Sequence, residues 1–223
     1  MVIVHSWDVT PQEAIAIQKR LAPKVLRHDD VGDVSFVGGV DVGFESNNTV
    51  TRAAVVVLRF PELELEEQVL ARVPTTFPYV PGLLSFREGP AIIAALESLQ
   101  STPDLLLFDG QGIAHPRRLG IASHIGLLAD IPSIGVAKSR LIGRTREQLG
   151  NEQGAWAPLW HNSASGGEEI VGAELRTRAN VKPVFVSIGH RISLETAIRF
   201  VLACTTRYKL PETSRLAHRL ASG

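Results

Sequence analysis

The run Leu105-Leu106-Leu107-Phe108 contains no polar side chain and ends on Asp109. Side chains alternate between the two faces of a strand, so a run that is apolar at every position has both faces covered. Such strands sit inside parallel sheets, between layers of helix.

The rest of the chain supplies both layers. Thr10 to Leu26 reads as a helix, with Thr10 as N-cap, Pro11 at its first position and Glu13 at capping-box spacing. Val34 to Phe44 alternates: Val34, Phe36, Val40, Val42 and Phe44 fall on one face, and Ser35, Val37, Gly39, Asp41 and Gly43 on the other. A turn at Asn47-Asn48 leads to a β-branched, Ala-rich strand from Thr51 to Phe60, and a third strand runs from Leu63 to Val73. Pro74 to Pro81 is irregular. Helices follow over Pro90 to Leu99, Pro116 to Ala129, Ser193 to Cys204 and Pro211 to Leu220. Strands fall at Asp104 to Asp109, Ser133 to Ala137 and Val184 to Ile188, and the polar stretch from Thr145 to Gly167 reads as an excursion. The expected class is α/β, a mixed central sheet with an antiparallel meander first and parallel strands after it, flanked by helices.

Composition narrows the function. The 223 residues fit a single domain, 1–223, at about 150 residues per domain. Lys+Arg and Asp+Glu both number 23, so the formal net charge of zero argues against a basic arm but leaves room for a local basic groove. Cys204 is the only cysteine, which removes intramolecular disulfides and multi-Cys zinc sites. Met1-Val2-Ile3-Val4-His5 has no basic start or long apolar run, and no apolar run approaches the roughly 18 residues of a membrane span. A soluble, cytoplasmic protein is expected.

Three carboxylates stand out. Asp41 lies mid-strand on the face it shares with Gly39 and Gly43, where the absence of side chains leaves room for an ion or a phosphate. The ordinary alternative is an Asp on a solvent-facing edge. Asp109 closes the apolar run, where ligands of α/β sheets collect, and its ordinary reading is an Asp-Gly turn. Glu88 either completes a capping box with Ser85 or precedes a helix starting at Pro90, and if the helix extends back it shares the apolar face of Ile92, Ala95 and Leu99. Three carboxylates without a Cys or a tight His pair suit a hard cation, Mg²⁺, able to polarise a phosphoryl oxygen and activate a water.

Basic and aromatic groups flank them. His115, Arg117 and Arg118 follow Asp109, and Lys138, Arg140, Arg144 and Arg146 follow the next strand; each is a phosphate contact or a solvated charge. Pro78-Tyr79-Val80-Pro81-Gly82 holds an aromatic ring on a loop stiffened by proline, a wedge that can fill the place of an extruded base or simply a packed surface tyrosine.

The runs Val40-Asp41-Val42-Gly43-Phe44, Pro78 through Glu88, Asp109 through Gly120, Ile134-Gly135-Val136-Ala137-Lys138, Gly189-His190-Arg191 and Lys209 through His218 together resemble endonuclease V, in order and over nearly the whole chain. The resemblance implies an RNase H-like fold and Mg²⁺-dependent nicking of DNA at the second phosphodiester 3′ to deoxyinosine, leaving 3′-hydroxyl and 5′-phosphate ends. It implies that Mn²⁺ substitutes for Mg²⁺ and that the enzyme works as a monomer. By the same likeness Asp41 and Asp109 are metal ligands, Glu88 the third acidic residue of the metal and catalytic set, Lys138 the active-site lysine, and His218 a catalytic residue near the metal. Tyr79, with Pro78, Val80 and Pro81, is the wedge. Gly82, Leu84, Gly110 and Ile121 form the base pocket, and His115, Arg117 and Arg118 meet the DNA. Gln111 departs from the pattern, standing where His or Asn is expected.

Other functions predict other signs. An endoribonuclease for inosine-containing RNA, or action on single-stranded DNA, needs only tolerance along the strand path, for RNA of the 2′-hydroxyl. A non-catalytic binding module would have lost the carboxylates, and a small-phosphoester hydrolase has no use for Tyr79.

Overall fold

The computed structural model describes residues 5–163 and 166–223. Residues 1–4, part of the N-terminal stretch considered above for a signal sequence, lie outside them. Among the described residues, no helix is long and apolar enough to cross a membrane.

Eight strands form one sheet in the order β3-β2-β1-β4-β5-β8-β7-β6. The expected meander is β1 (Phe36–Glu45), β2 (Val50–Arg59) and β3 (Leu65–Pro74), antiparallel throughout. The apolar run is β4 (Leu105–Phe108), parallel to β1 on one side and to β5 (Ser133–Ala137) on the other. Its two faces are buried as the pattern required. Leu106 and Phe108 pack with Ile92 and Ala95 of α2 (Leu84–Glu97) and Ile125 of α3 (Ile121–Ala129). Leu105 and Leu107 join the opposite layer, with Ala197, Ile198 and Val201 of α4 (Leu194–Ala203). Each buried Leu or Phe contributes about 1.5–3 kcal/mol, so this short strand anchors both layers.

The edge beyond β5 departs from expectation. The stretch 145–167 is not one irregular excursion, because it contains β6 (Trp156–Asn162), which pairs antiparallel with β7 (Glu168–Leu175). β7 in turn pairs with β8 (Val184–His190). Gly150, Asn151, Gly154, Ser163, Gly166 and Gly167 lie in the connections while Asn162 ends β6, and Val171, Ala173 and Leu175 alternate into the core.

Three helix starts are instructive. α1 (Pro11–Leu21) has the expected capping box: Glu13 N–H donates to Thr10 Oγ1, and Glu13 Oε2 accepts from Thr10 N–H at 2.7 Å. It ends five residues before Leu26, in a 3-10 turn at Ala22–Lys24. α2 begins at Leu84, so the helix extends back through Glu88 and holds Pro90 inside it rather than starting there, and Leu83 stands at the N-cap with no side-chain cap bond, so Ser85 and Glu88 form no capping box. An interior proline costs about 3 kcal/mol. The first turn is held in place nonetheless, by buried Phe86, by Ser85 Oγ on His124 and by Arg87 Nη1 donating to Phe77 O at 2.8 Å. α3 begins at Ile121, not Pro116, because Arg118 adopts φ +57 and Gly120 is extended.

α5 (Glu212–Ser222) lies on the Gly39/Asp41/Gly43 face of β1. A Cβ on Gly39 would strike the Thr213 carbonyl, and one on Gly43 the Ala221 carbonyl. The glycines of β1 therefore make room for a helix backbone rather than directly for an ion.

Candidate active site

The site grows out of the β1–β4 register. Val40 pairs with Phe108, and Asp109 N–H donates to Val40 O at 3.1 Å, so Asp41 and Asp109 emerge side by side past the end of the parallel pair. α5, admitted by the glycines, sets His218 Nδ1 2.7 Å from Asp41 Oδ2. β5 ends at Ala137, and the Lys138 Nζ that follows donates to Asp109 Oδ2 at 2.5 Å. Glu88 approaches from α2, on the other layer of the sheet.

Like charge and burial dominate here. Burial first, and then the Asp109 charge, raise the Asp41 carboxyl above its ordinary range, against the pull of His218 and Val42 N–H. Glu88 is buried, and desolvation followed by the Asp41 charge pushes it up to about 8. Ligand atoms of Asp41, Asp109 and His218 lie within 4.8 Å of one another. Two carboxylates forced together against their own repulsion fit a divalent cation, and their oxygens suit Mg²⁺ or Mn²⁺. Glu88 stands outside that close triplet, and His218 stands inside it.

A cavity of about 480 Å³ opens beside the carboxylates, sharing Asp109 and Lys138 with them. Tyr79, Val80, Pro81, Gly82, Leu84, Gly110, His115 and Ile121, all singled out from sequence, contribute to its wall. Tyr79 is 72% exposed on the rim loop. Gly82 has φ +78, and a Cβ there would sit 2.7 Å from Arg117 Nη2. Arg140 and Leu141 complete the far side.

The three groups marked as DNA contacts have protein partners. His115 is buried and Nε2 donates to Gly82 O at 3.0 Å; desolvation, then Arg117, bring its pKa down to about 4, so it is neutral. Arg117 Nη2 donates to Gly82 O at 2.7 Å. Arg118 turns away from the cavity: it pairs with Glu169 Oε1 at 2.8 Å and donates to His115 O and Asn162 O. Gln111 Nε2 donates to Ser139 O at 3.0 Å, which ties the loop after Asp109 to the segment after Lys138. Arg144 and Arg146 both pair with Glu168.

Sequence reasoning passed over one polar group of the wall, Gln18, and read another, Ser85, only as a helix cap. Gln18 is 1% exposed and sits between Ala14 and Leu21 on the buried stripe of α1, where a glutamine at apolar spacing was the available signal. Ser85 Oγ belongs to a chain whose protons are fixed by its end. His5 Nδ1–H donates to Ser6 O, so its Nε2 accepts from His124 Nε2–H at 2.8 Å, and His124 Nδ1 accepts from Ser85 Oγ–H at 2.8 Å. Full burial, then His5, push His124 down to about 3.

Paired carboxylates at the end of parallel strands, with a lysine and an open cavity beside them, define an RNase H-like nuclease that hydrolyses phosphodiester bonds. The endonuclease V family model matches residues 19–219. Endonuclease V of Trichormus variabilis is 58% identical over 219 residues, 98% of this chain and 96% of its own, and that of Roseiflexus castenholzii is 55% identical over 98% and 95%. The structure of the Streptomyces avermitilis enzyme superposes with TM-score 0.89 at 42% identity, covering 99% of this chain and 95% of the other. Ciona intestinalis endonuclease V, in complex with a 24mer DNA containing an inosine followed by a ribo-adenosine, does so with TM-score 0.81 at 31% identity over 95% of both chains. The chain belongs to the endonuclease V family, the deoxyinosine-specific repair endonucleases.

Proposed function

We propose that residues 1–223 act as one catalytic domain, a cytoplasmic monomer that nicks DNA at the second phosphodiester 3′ to deoxyinosine and leaves 3′-hydroxyl and 5′-phosphate ends. The observation that carries this reading is the continuity of the Asp41–Asp109–His218 cluster with the cavity, through Asp109 and Lys138. A base held in that cavity leaves its own strand running past the carboxylates.

Asp41 and Asp109, with His218 or Glu88, hold the cation. Mg²⁺ or Mn²⁺ held there would supply positive charge to a phosphoryl oxygen and would lower the pKa of the attacking water so that it reacts as hydroxide. Lys138 presents its ammonium where negative charge builds on the phosphate. Glu88, buried beside Asp41 and pushed up in the metal-free site, is the third carboxyl of the set. Gly82, Leu84, Gly110 and Ile121 surround the extruded hypoxanthine, and the Tyr79 ring, flanked by Pro78, Val80 and Pro81, fills the gap it leaves.

A second reading is cleavage of inosine in RNA or in single-stranded DNA. The Ciona complex, whose DNA carries a ribo-adenosine after the inosine, favours a strand path that accepts a ribose there. Matched DNA and RNA strands, each with one inosine, decide between them. The expected result is a Mg²⁺-dependent cut in the DNA strand that chelation abolishes and Asp109→Ala removes. Cleavage of the RNA alone would shift the substrate class, and an undiminished Asp109→Ala enzyme would end the proposed metal role.

A further inference from the structure

We propose that Gln18 is a strut that sets the width of the base cavity and so tunes which extruded base is held; this rests on the nuclease reading above. Gln18 comes from α1, one residue before the stretch matched by the family model. Its carboxamide is used at both ends. Nε2 donates to Gly82 O at 3.0 Å and to Leu119 O at 3.1 Å, while Oε1 accepts from Arg117 Nε.

The two carbonyls belong to the two segments between which a base would lie. Gly82 closes the Tyr79 loop and leads into Leu84. Leu119 stands two residues before Ile121. A single planar amide donating to both bounds their separation, since each hydrogen bond is favourable only near 2.7–3.2 Å. The Gly82 carbonyl is fixed further by His115 Nε2 and Arg117 Nη2, and the left-handed φ of +78 at this residue favours glycine. A buried amide is costly unless all its groups are paired. Here both ends are paired, and each partner lines the cavity or braces a residue that does. A glutamine that merely attached α1 to the body would have no need to reach both segments at once.

Gln18 is thus a positioning residue, and the test reads selection. Gln18→Glu keeps the length and the acceptor for Arg117 but removes both donors, and it pairs its charge with the guanidinium. Gln18→Leu removes every polar contact. Metal-free binding is measured for two strands identical except for deoxyinosine or deoxyadenosine at one position, and kcat and KM are measured on the deoxyinosine strand with Mg²⁺. The strut predicts a deoxyinosine-over-deoxyadenosine binding ratio reduced about fivefold to tenfold in Gln18→Glu, the scale of one or two lost buried hydrogen bonds. KM should rise by a similar factor while kcat stays within about twofold. An unchanged ratio with a lower melting temperature would make Gln18 a fold-stabilising residue only. A fall in kcat at constant KM would place its effect on the carboxylates. Both results overturn the strut. Because Gln18→Leu leaves the half-buried Arg117 guanidinium without its Nε partner and can fail to fold, Gln18→Glu decides. The binding ratio needs no cleavage, so a wild-type protein that failed to nick would strike the nuclease reading while the ratio still tested the strut.

Discussion

Two polar clusters lie a few residues apart in this molecule, and they are built on opposite plans. Around Asp41, Glu88 and Asp109, like charges are crowded into a partly dry site, and Asp41 and Glu88 are displaced toward their neutral forms. Around Gln18, Gly82, His115, Ser85 and His124, the described protons have acceptors, and the two imidazoles are neutral, at about 4 and about 3. The first cluster is destabilised until something positive arrives. The second is a satisfied frame that holds backbone carbonyls in place. Instability is concentrated where chemistry needs it, and rigidity is placed next to it.

The largest expected effect breaks the first cluster. Asp41→Asn or Asp109→Asn should lower kcat on the order of a thousandfold or more, because it removes a ligand of the proposed cation. Asp41→Asn should melt no lower than wild type without metal, since a repulsion is gone. A melting temperature well below wild type would show the carboxylates to be structural.

Glu88→Gln sharpens the contrast. The folded pKa of about 8 lies above the unfolded value near 4.5, so the folded state binds the extra proton. That contribution is complete below pH 4.5 and is lost as pH rises through about 8. At pH 8, metal-free Glu88→Gln should therefore be more stable than wild type by about 2–4 kcal/mol in urea denaturation, while its nuclease activity collapses. Equal stability at pH 8 would deny the strain.

The second cluster has the reverse sign. His115 and His124 are depressed in the folded protein, so the unfolded chain binds more protons below about pH 6.5. Their contribution is complete above that value and is lost as pH falls from 6.5 toward 4. Wild type should lose about 1–3 kcal/mol of its advantage over His124→Gln across that window, and a pH-independent difference between the two would contradict a neutral imidazole chain. The smallest effect belongs to the rim. Tyr79→Ala should leave stability within about 0.5 kcal/mol yet raise KM about tenfold, as loss of a stacking ring would. An unchanged KM would remove the wedge.

The sheet was legible where periodicity was strict. β4 declared its two covered faces, and the meander and the α1 and α4 caps follow from alternation and from Thr10 and Ser193. Asp41, Asp109 and Lys138 were legible because each closes or interrupts a strand. The start of α2 was left between two readings, because the local proline chemistry at Pro90 is outweighed by contacts from Phe77 and His124, distant in sequence. β6 and β7 were hidden by the turn residues around them. The β1 glycines were read as space for an ion, and only the tertiary position of α5 reveals that they seat a helix. Gln18 went unnoticed because its partners lie 64 and 101 residues away.

The seating of α5 on β1 has a consequence for how the enzyme comes into being. Asp41 and His218 are separated by 177 positions, and the helix that joins them is the last element of the described chain. Contacts so distant in sequence close late and carry a large loop-closure entropy. During synthesis, Asp41 and Asp109 emerge long before the imidazole that completes their triplet. A chain cut before α5 would keep Asp41 and Asp109 on their paired strands and lose His218 from beside them.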